Sequence, residues 1–183
     1  MIFLFRLLLT FNATSLIIVV YLVKEHYLIG EFIPSFSFAY SEIISYIVYA
    51  GIPLFLTSLS LKLSKYLDSD SIESDGHSPI NEIEQANNAF LPSYLGYFFV
   101  ALSVSDFTTL GFIYFVLFVF TFLSQALYFN PLYLVFGYQF YNITTETNVK
   151  IFIISKRVIK NPSNLEFVKL KRINNFTFID QEV

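Results

Sequence analysis

Four long apolar stretches run through the chain, separated by polar segments of differing character. A helix that crosses a bilayer needs about 20 predominantly apolar residues. The first stretch, Leu7 to Val23, follows Arg6, which can reach the headgroups, and precedes Lys24, Glu25, His26 and Tyr27. No small-residue cleavage site follows it, so it predicts a retained anchor helix rather than a removed leader. The second, Ile43 to Leu61, holds Gly51 and Pro53 and predicts a helix kinked where proline removes a donor. The third, Ala89 to Ser105, carries Pro92 in its first turn, where a missing N–H costs nothing. The fourth, Phe107 to Phe129, is the most apolar, and Asn130-Pro131 stops it. The last two meet at Ser105-Asp106-Phe107, which predicts a tight helical hairpin. Asp106 there is either the cap of the fourth helix or an intramembrane ion-site carboxylate, and the cap is the favoured reading.

The intervening segments differ. Residues 24–42 mix aromatics with Gly30 and Pro34, and read either as a surface that senses something arriving at the membrane or as a connector over the bundle. Residues 66–88 carry six acids (Asp68, Asp70, Glu73, Asp75, Glu82 and Glu84) among Ser, Asp and Gly, a composition that predicts a solvated, disordered linker. Asp68-x-Asp70 opens like a calcium loop, but the later ligands are out of register. Residues 137–183 change to a period of two. Tyr138 to Thr144 and Val149 to Ile154 predict a hairpin, Glu166 to Ile173 a third strand, and Phe176 to Ile179 a fourth. The expected architecture is therefore an all-α membrane domain over residues 1–136, with four transmembrane helices, followed by a small β-rich tail over 137–183.

Composition supports membrane insertion. Charged residues make up only 14% of the chain and aromatics 20%, against about 25% charged in soluble domains. Ten of the eleven basic residues (Arg6, Lys62, Lys65, Lys150, Lys156, Arg157, Lys160, Lys169, Lys171 and Arg172) fall on one side of a four-span chain and Lys24 on the other. The positive-inside rule then places both ends in the cytoplasm of a multi-pass inner-membrane protein. The opposite face bears Glu25, Glu31, Glu42 and Asp106. The tail's seven basic residues outnumber its four acids, which suits anionic membrane lipid or docking of a cytoplasmic protein. No module for direct nucleic-acid contact is recognisable.

Catalytic and metal-binding patterns are absent from the sequence. There is no cysteine, no Gly-rich phosphate loop, no His-Glu-x-x-His and no nucleophile elbow, and only two histidines. No enzyme activity, metal or cofactor is expected. The spans hold neutral polar residues, of which Asn12 and Gln125 are the expected helix–helix contacts. The expected outer sensing residues are Glu25, Glu31, Phe32, Phe36 and Phe38. Lys150, Lys156, Arg157, Lys160, Lys169, Lys171 and Arg172 are the expected partner-docking set.

The layout, and above all Gly137-Tyr138-Gln139-Phe140-Tyr141 with Lys171-Arg172-Ile173-Asn174-Asn175-Phe176-Thr177, resembles the KwaA family, the membrane subunit of Kiwa anti-phage defence systems. The resemblance implies a homo-oligomeric inner-membrane sensor of phage attachment. It also implies a soluble DNA-binding effector, KwaB-like, held on the cytoplasmic side. Two other readings stay open on the residues alone. A four-span bacteriocin immunity protein of the colicin type would act through its helices without a partner. A small channel or transporter subunit would depend on Asp106 or on the Asn12 and Gln125 polars.

Overall fold

The structure is a computed structural model and describes residues 2–33, 41–72, 80–89, 91–124, 130–161 and 165–182. Its helices are α1 (Ile2–Lys24), α2 (Ile29–Phe32), α3 (Ser41–Leu63), α4 (Leu91–Ser103), α5 (Phe107–Ser124) and α6 (Leu132–Val135). Its strands are β1 (Ser69–Ile72), β2 (Ile80–Gln85), β3 (Gln139–Thr145), β4 (Lys150–Ser155), β5 (Phe167–Arg172) and β6 (Thr177–Asp180). All six strands belong to one sheet, in the order β1-β5-β6-β4-β3-β2. Only β4 and β6 run parallel; the other neighbours are antiparallel.

This architecture corrects the expectation of an all-α bundle of four spanning helices with a small tail. Among the described residues three helices, α1, α3 (with the short 3₁₀ turn Ser64–Tyr66 that follows it) and α5, are long and apolar enough to cross a membrane. The third expected span is the 13-residue α4. At 1.5 Å per residue it reaches only about 20 Å, against roughly 30 Å of hydrocarbon. The residues before it cannot extend it. The Ala86 N–H donates to the Phe140 carbonyl at 2.8 Å, and Asn87 Oδ1 accepts the Phe140 N–H at 2.9 Å. That stretch is bound to β3 and so cannot begin the helix.

The acidic segment, read as a solvated linker, supplies the two edge strands. Each carries a bulge, between Asp70 and Ile72 in β1 and between Ile80 and Glu82 in β2. A bulge inserts one residue and resets which face the following side chains meet. Ile80 and Ile83, three apart, therefore pack in one cluster, and no period-of-two pattern is visible in the sequence. One of the acids is compensated by the tail: Arg172 Nε donates to Asp70 Oδ2 at 3.0 Å across the β1–β5 pair.

The four tail strands lie where the alternation places them. In the β3–β4 hairpin the turn closes on Asn148, which takes φ of 59°, a left-handed conformation Asn tolerates. The central strand β4 is apolar on both faces: Ile154 faces the helices, while Ile151 and Ile153 face away. This is why Ile151-Phe152-Ile153-Ile154 reads as an unbroken apolar run.

Two clusters sandwich the sheet. On the helix side, Phe5 and Leu9 of α1 pack with Tyr133, Phe140, Ile154, Ile173 and Ile179. On the other side, Tyr141, Ile143, Ile153, Phe167, Leu170 and Phe178 form a second core. Ile72 and Ile83, from opposite edges of the sheet, both pack against that second core, so the sheet curls around it. A third cluster, Ile17, Tyr21, Ala101, Val104 and Leu110, closes the far end of the bundle. Helix α1 is central and meets α3, α4 and α5. Its start lies beside the end of α5, with Phe3 edge-on to Phe122 at 5.6 Å. Phe112, Phe115, Phe120 and Leu123 on α5 are exposed, so this helix is apolar on its outward face as well as on its packed one.

Candidate docking surface and helix contacts

The chain places the sheet against one end of the helices and a small aromatic cap at the other. The seven basic residues of the tail divide by role at the sheet end. Arg157 is built into the fold. Its Nε donates to Asp180 Oδ2 at 2.8 Å, its Nη1 pairs with Glu182 at 2.8 Å, and its guanidinium lies 4.6 Å from the Phe167 ring centroid. Asp180 is fully buried and also accepts from Ser155 Oγ at 2.7 Å. Lys171 Nζ donates to the Leu67 carbonyl at 2.8 Å and to Ser69 Oγ at 2.9 Å, tying β5 to the end of the α3 segment. Arg172 is held by Asp70.

Lys156 stands over the Tyr138 ring, Nζ 5.3 Å from its centroid. Burial pushes the Tyr138 phenol above its usual range, with the Asp180 carboxylate adding to the effect, so the ring stays neutral. Lys150, Lys160 and Lys169 are exposed. Among the described residues none of these three has an ion-pair partner. The basic residues are therefore not one patch. Three brace the sheet domain, one stacks on an aromatic ring, and three are free to meet another molecule.

The helix contacts centre on α1. Asn12 is buried, and its Nδ2 donates to Thr57 Oγ1 on α3 at 2.8 Å. Its Oδ1 is buried with no hydrogen-bond partner among the described residues. Thr57 also lies 3.4 Å from Asn130 Nδ2 and returns its own proton to the Pro53 carbonyl at 2.8 Å. Ser60 and the Tyr133 hydroxyl are 2.9 Å apart. The Tyr94 hydroxyl donates to the Ala13 carbonyl at 3.0 Å, and Thr14 to the Tyr114 hydroxyl at 3.2 Å. Gln125, the other expected contact, lies outside the described residues. Thr57, Asn130 and Tyr133 complete this network. The signal in the sequence was the presence of neutral polar residues inside apolar runs; their pairing depends on helix rotation, which the sequence leaves open.

At the far end, Glu25 pairs with Lys24 at 2.8 Å, and Lys24 Nζ also donates to the Val104 carbonyl at 2.6 Å. The Glu31 side chain accepts from the Leu28 N–H at 3.5 Å. Phe32 is exposed, 6.1 Å from Tyr27. Phe36 and Phe38 lie outside the described residues. Asp106 caps α5, accepting the Thr109 N–H at 2.9 Å and the Thr109 hydroxyl at 2.8 Å. Those two bonds hold its carboxyl below the usual carboxylate range. No group of three His, Cys, Asp or Glu able to hold a metal occurs among the described residues.

Comparison with curated proteins and with solved structures gives no significant match. A protein-family model described as the anti-phage protein KwaA matches residues 5–179, from the first turns of α1 to the last strand of the sheet. The chain belongs to the KwaA family of anti-phage defence proteins.

Proposed function

We propose that this defence protein is a non-enzymatic, multi-pass sensor and scaffold of the bacterial inner membrane. In this reading it assembles as a homo-oligomer, its sheet faces the cytoplasm, and the sheet holds a soluble DNA-binding effector there. Disturbance of the envelope by an attaching phage reaches the helices and is passed to the sheet.

The observation that carries the reading is the shared core. Phe5 and Leu9 of the first apolar helix are 4% and 2% exposed and pack directly with Phe140, Ile154 and Ile179 of the sheet. Close-packed interiors transmit displacement rather than absorb it. A shift of α1 in the bilayer therefore acts on the sheet without an intervening flexible linker. The cytoplasmic placement is supported by charge, since Arg6, Lys62, Lys65 and the tail's basic residues collect at the sheet end and Lys24 alone at the other. Of the tail's basic residues, Lys150, Lys160 and Lys169 are the ones neither braced in the sheet nor stacked on a ring, and so the ones offered to an effector.

The test is gentle detergent purification from cells that express the chain with its neighbouring genes. Wild type is compared with Lys150→Glu/Lys160→Glu/Lys169→Glu, which leaves the core intact. Co-purification of a soluble protein that shifts DNA in a gel, lost in the variant, is the expected result. Recovery of no soluble protein with either chain would sink the scaffold reading.

A further inference from the structure

A cavity of about 310 Å³ opens where the last turn of α3 meets the sheet. Lys62 and Lys65 line it from the end of α3 and the following turn, Lys156 and Tyr138 from the ends of the sheet strands, and Ser58 and Gln181 add polar groups to a wall that Leu61 and Phe136 complete. Gln181 is fixed there by its bond from Nε2 to Ser64 Oγ at 2.9 Å. Arg157 and Arg172 are neutralised by carboxylates, but among the described residues none of the three cavity lysines has an ion-pair partner. Three uncompensated ammonium groups around one concavity repel each other and attract an anion.

The depth of the site and its apolar continuation say which anion. Ser58 is still in the apolar run of α3, whereas Lys62 and Lys65 lie just past it, so the cavity straddles the level where hydrocarbon gives way to headgroups. Residues spaced three and four apart share a helix face. Val48, Phe55, Ser58 and Lys62 fall on one such stripe, and Val48 and Phe55 on it are exposed. A ligand seated on the lysines thus has an apolar track, exposed among the described residues, leading away from it along the helix. We propose that this cavity binds the phosphate of an anionic phospholipid headgroup, with an acyl chain lying along the Val48–Phe55 face of α3. Basic pockets at the cytoplasmic ends of membrane helices suit such headgroups. The site rests on the membrane placement proposed above and is separate from effector docking.

Native mass spectrometry of the full chain in detergent tests it, with phosphatidylglycerol titrated against phosphatidylcholine of the same acyl chains. Lys62→Gln/Lys65→Gln/Lys156→Gln is compared with Lys150→Gln/Lys160→Gln/Lys169→Gln, which removes the same charge elsewhere. Phosphatidylglycerol adducts are expected on wild type and on the second variant, and roughly 100-fold weaker binding on the first, each charge near the surface being worth about fivefold. Equal weakening in both variants, or no preference over phosphatidylcholine, overturns the site. Displacement by inorganic phosphate or by the deacylated headgroup at equal concentration also overturns it, assigning the cavity to a soluble anion. If the triple variant does not fold, the exposed Lys156→Gln alone should weaken binding about fivefold, and unchanged binding overturns the proposal. Carbonate extraction of cells separates the two readings: release of the wild-type chain breaks the membrane placement itself, while a retained chain without lipid preference breaks only the site.

Discussion

The two ends of the helical bundle are built on different principles. At the sheet end, helices and strands share one apolar core, and the polar groups it encloses are largely paired: Asp180 with Ser155 and Arg157, Ser60 with Tyr133, Asn12 with Thr57. At the far end, a smaller buried cluster around Ile17, Tyr21 and Leu110 is flanked by edge-on and tilted aromatic pairs, such as Tyr21–Phe107 at 5.2 Å and Tyr27–Phe107 at 4.9 Å, and by hydrogen bonds near the surface such as His26 with Tyr46 at 3.1 Å. In the proposed sensor role, the more compliant end would receive the signal and the stiffer one would deliver it. Regions with few buried contacts open at low cost, whereas packed cores move as units.

The largest expected effect tests the stiff end. Phe140 is fully buried between the helices and the sheet, 5.8 Å from the Phe152 ring. Phe140→Ala should cost about 4 kcal/mol, as large-to-small changes of buried aromatics do. Phe107 at the far end is 46% exposed, and Phe107→Ala should cost about 1 kcal/mol, near the centre of the range for single substitutions. Thermal unfolding of the detergent-solubilised chain reads both. Equal shifts would erase the contrast between the ends.

Asp180 comes next. Its carboxylate is buried and holds Ser155, Arg157 and the Glu182 N–H at 2.9 Å. Asp180→Ala leaves Arg157 without that buried partner, and about 3 kcal/mol should be lost, the low end for breaking a buried pair because Arg157 keeps some solvent and Glu182. Arg157→Ala in the same assay should cost no less, since it strands the fully buried carboxylate. A loss under 1 kcal/mol for either change would show that the C-terminal strand is held by its apolar residues alone.

These residues also mark what the sequence could disclose. Helix positions were legible because long apolar runs have few alternatives, and the tail strands because Tyr138 to Ile154 and Glu166 to Ile173 alternate between turn residues. The edge strands were hidden for physical reasons: Asp70 of β1 is neutralised by Arg172, 102 residues away, and bulges in both strands erase the period of two. The same long-range pairing divided the candidate docking residues. Lys171 and Arg172 look alike as surface charges in the sequence, and only the arrival of Leu67, Ser69 and Asp70 beside them shows that they brace the sheet. The third stretch, Ala89 to Ser105, was already among the shortest in the sequence, and the bond of Asn87 to β3, which the sequence does not signal, keeps α4 from lengthening upstream.

A smaller effect is expected where helices meet. Asn12→Leu removes the bond to Thr57 but also a buried acceptor that has no partner among the described residues. The two nearly offset, because an interhelical hydrogen bond in a membrane is worth about 1 kcal/mol. The unfolding midpoint should move by less than it does for Asp180→Ala. A shift as large as that of Phe140→Ala would mean that this polar network, rather than the apolar core, joins α1 to α3.

The smallest effect belongs to the compliant end and depends on pH. Asp106 accepts two hydrogen bonds from Thr109 at the start of α5, and they hold its carboxyl below the usual range. A carboxyl whose pKa is lower when folded contributes stability that is fully present above its unfolded pKa, about 3.9, and is lost as the pH falls through the folded value. Asp106→Ala should therefore unfold at a lower temperature than wild type at pH 6 to 7. The gap should hold down to about pH 4 and narrow only below it. A gap that stays constant to pH 3 would mean that Asp106 acts through chain geometry rather than charge. A gap that closes between pH 5 and 6 would assign it a raised pKa and return it to the class of intramembrane carboxylates, which the pair of bonds to Thr109 argues against.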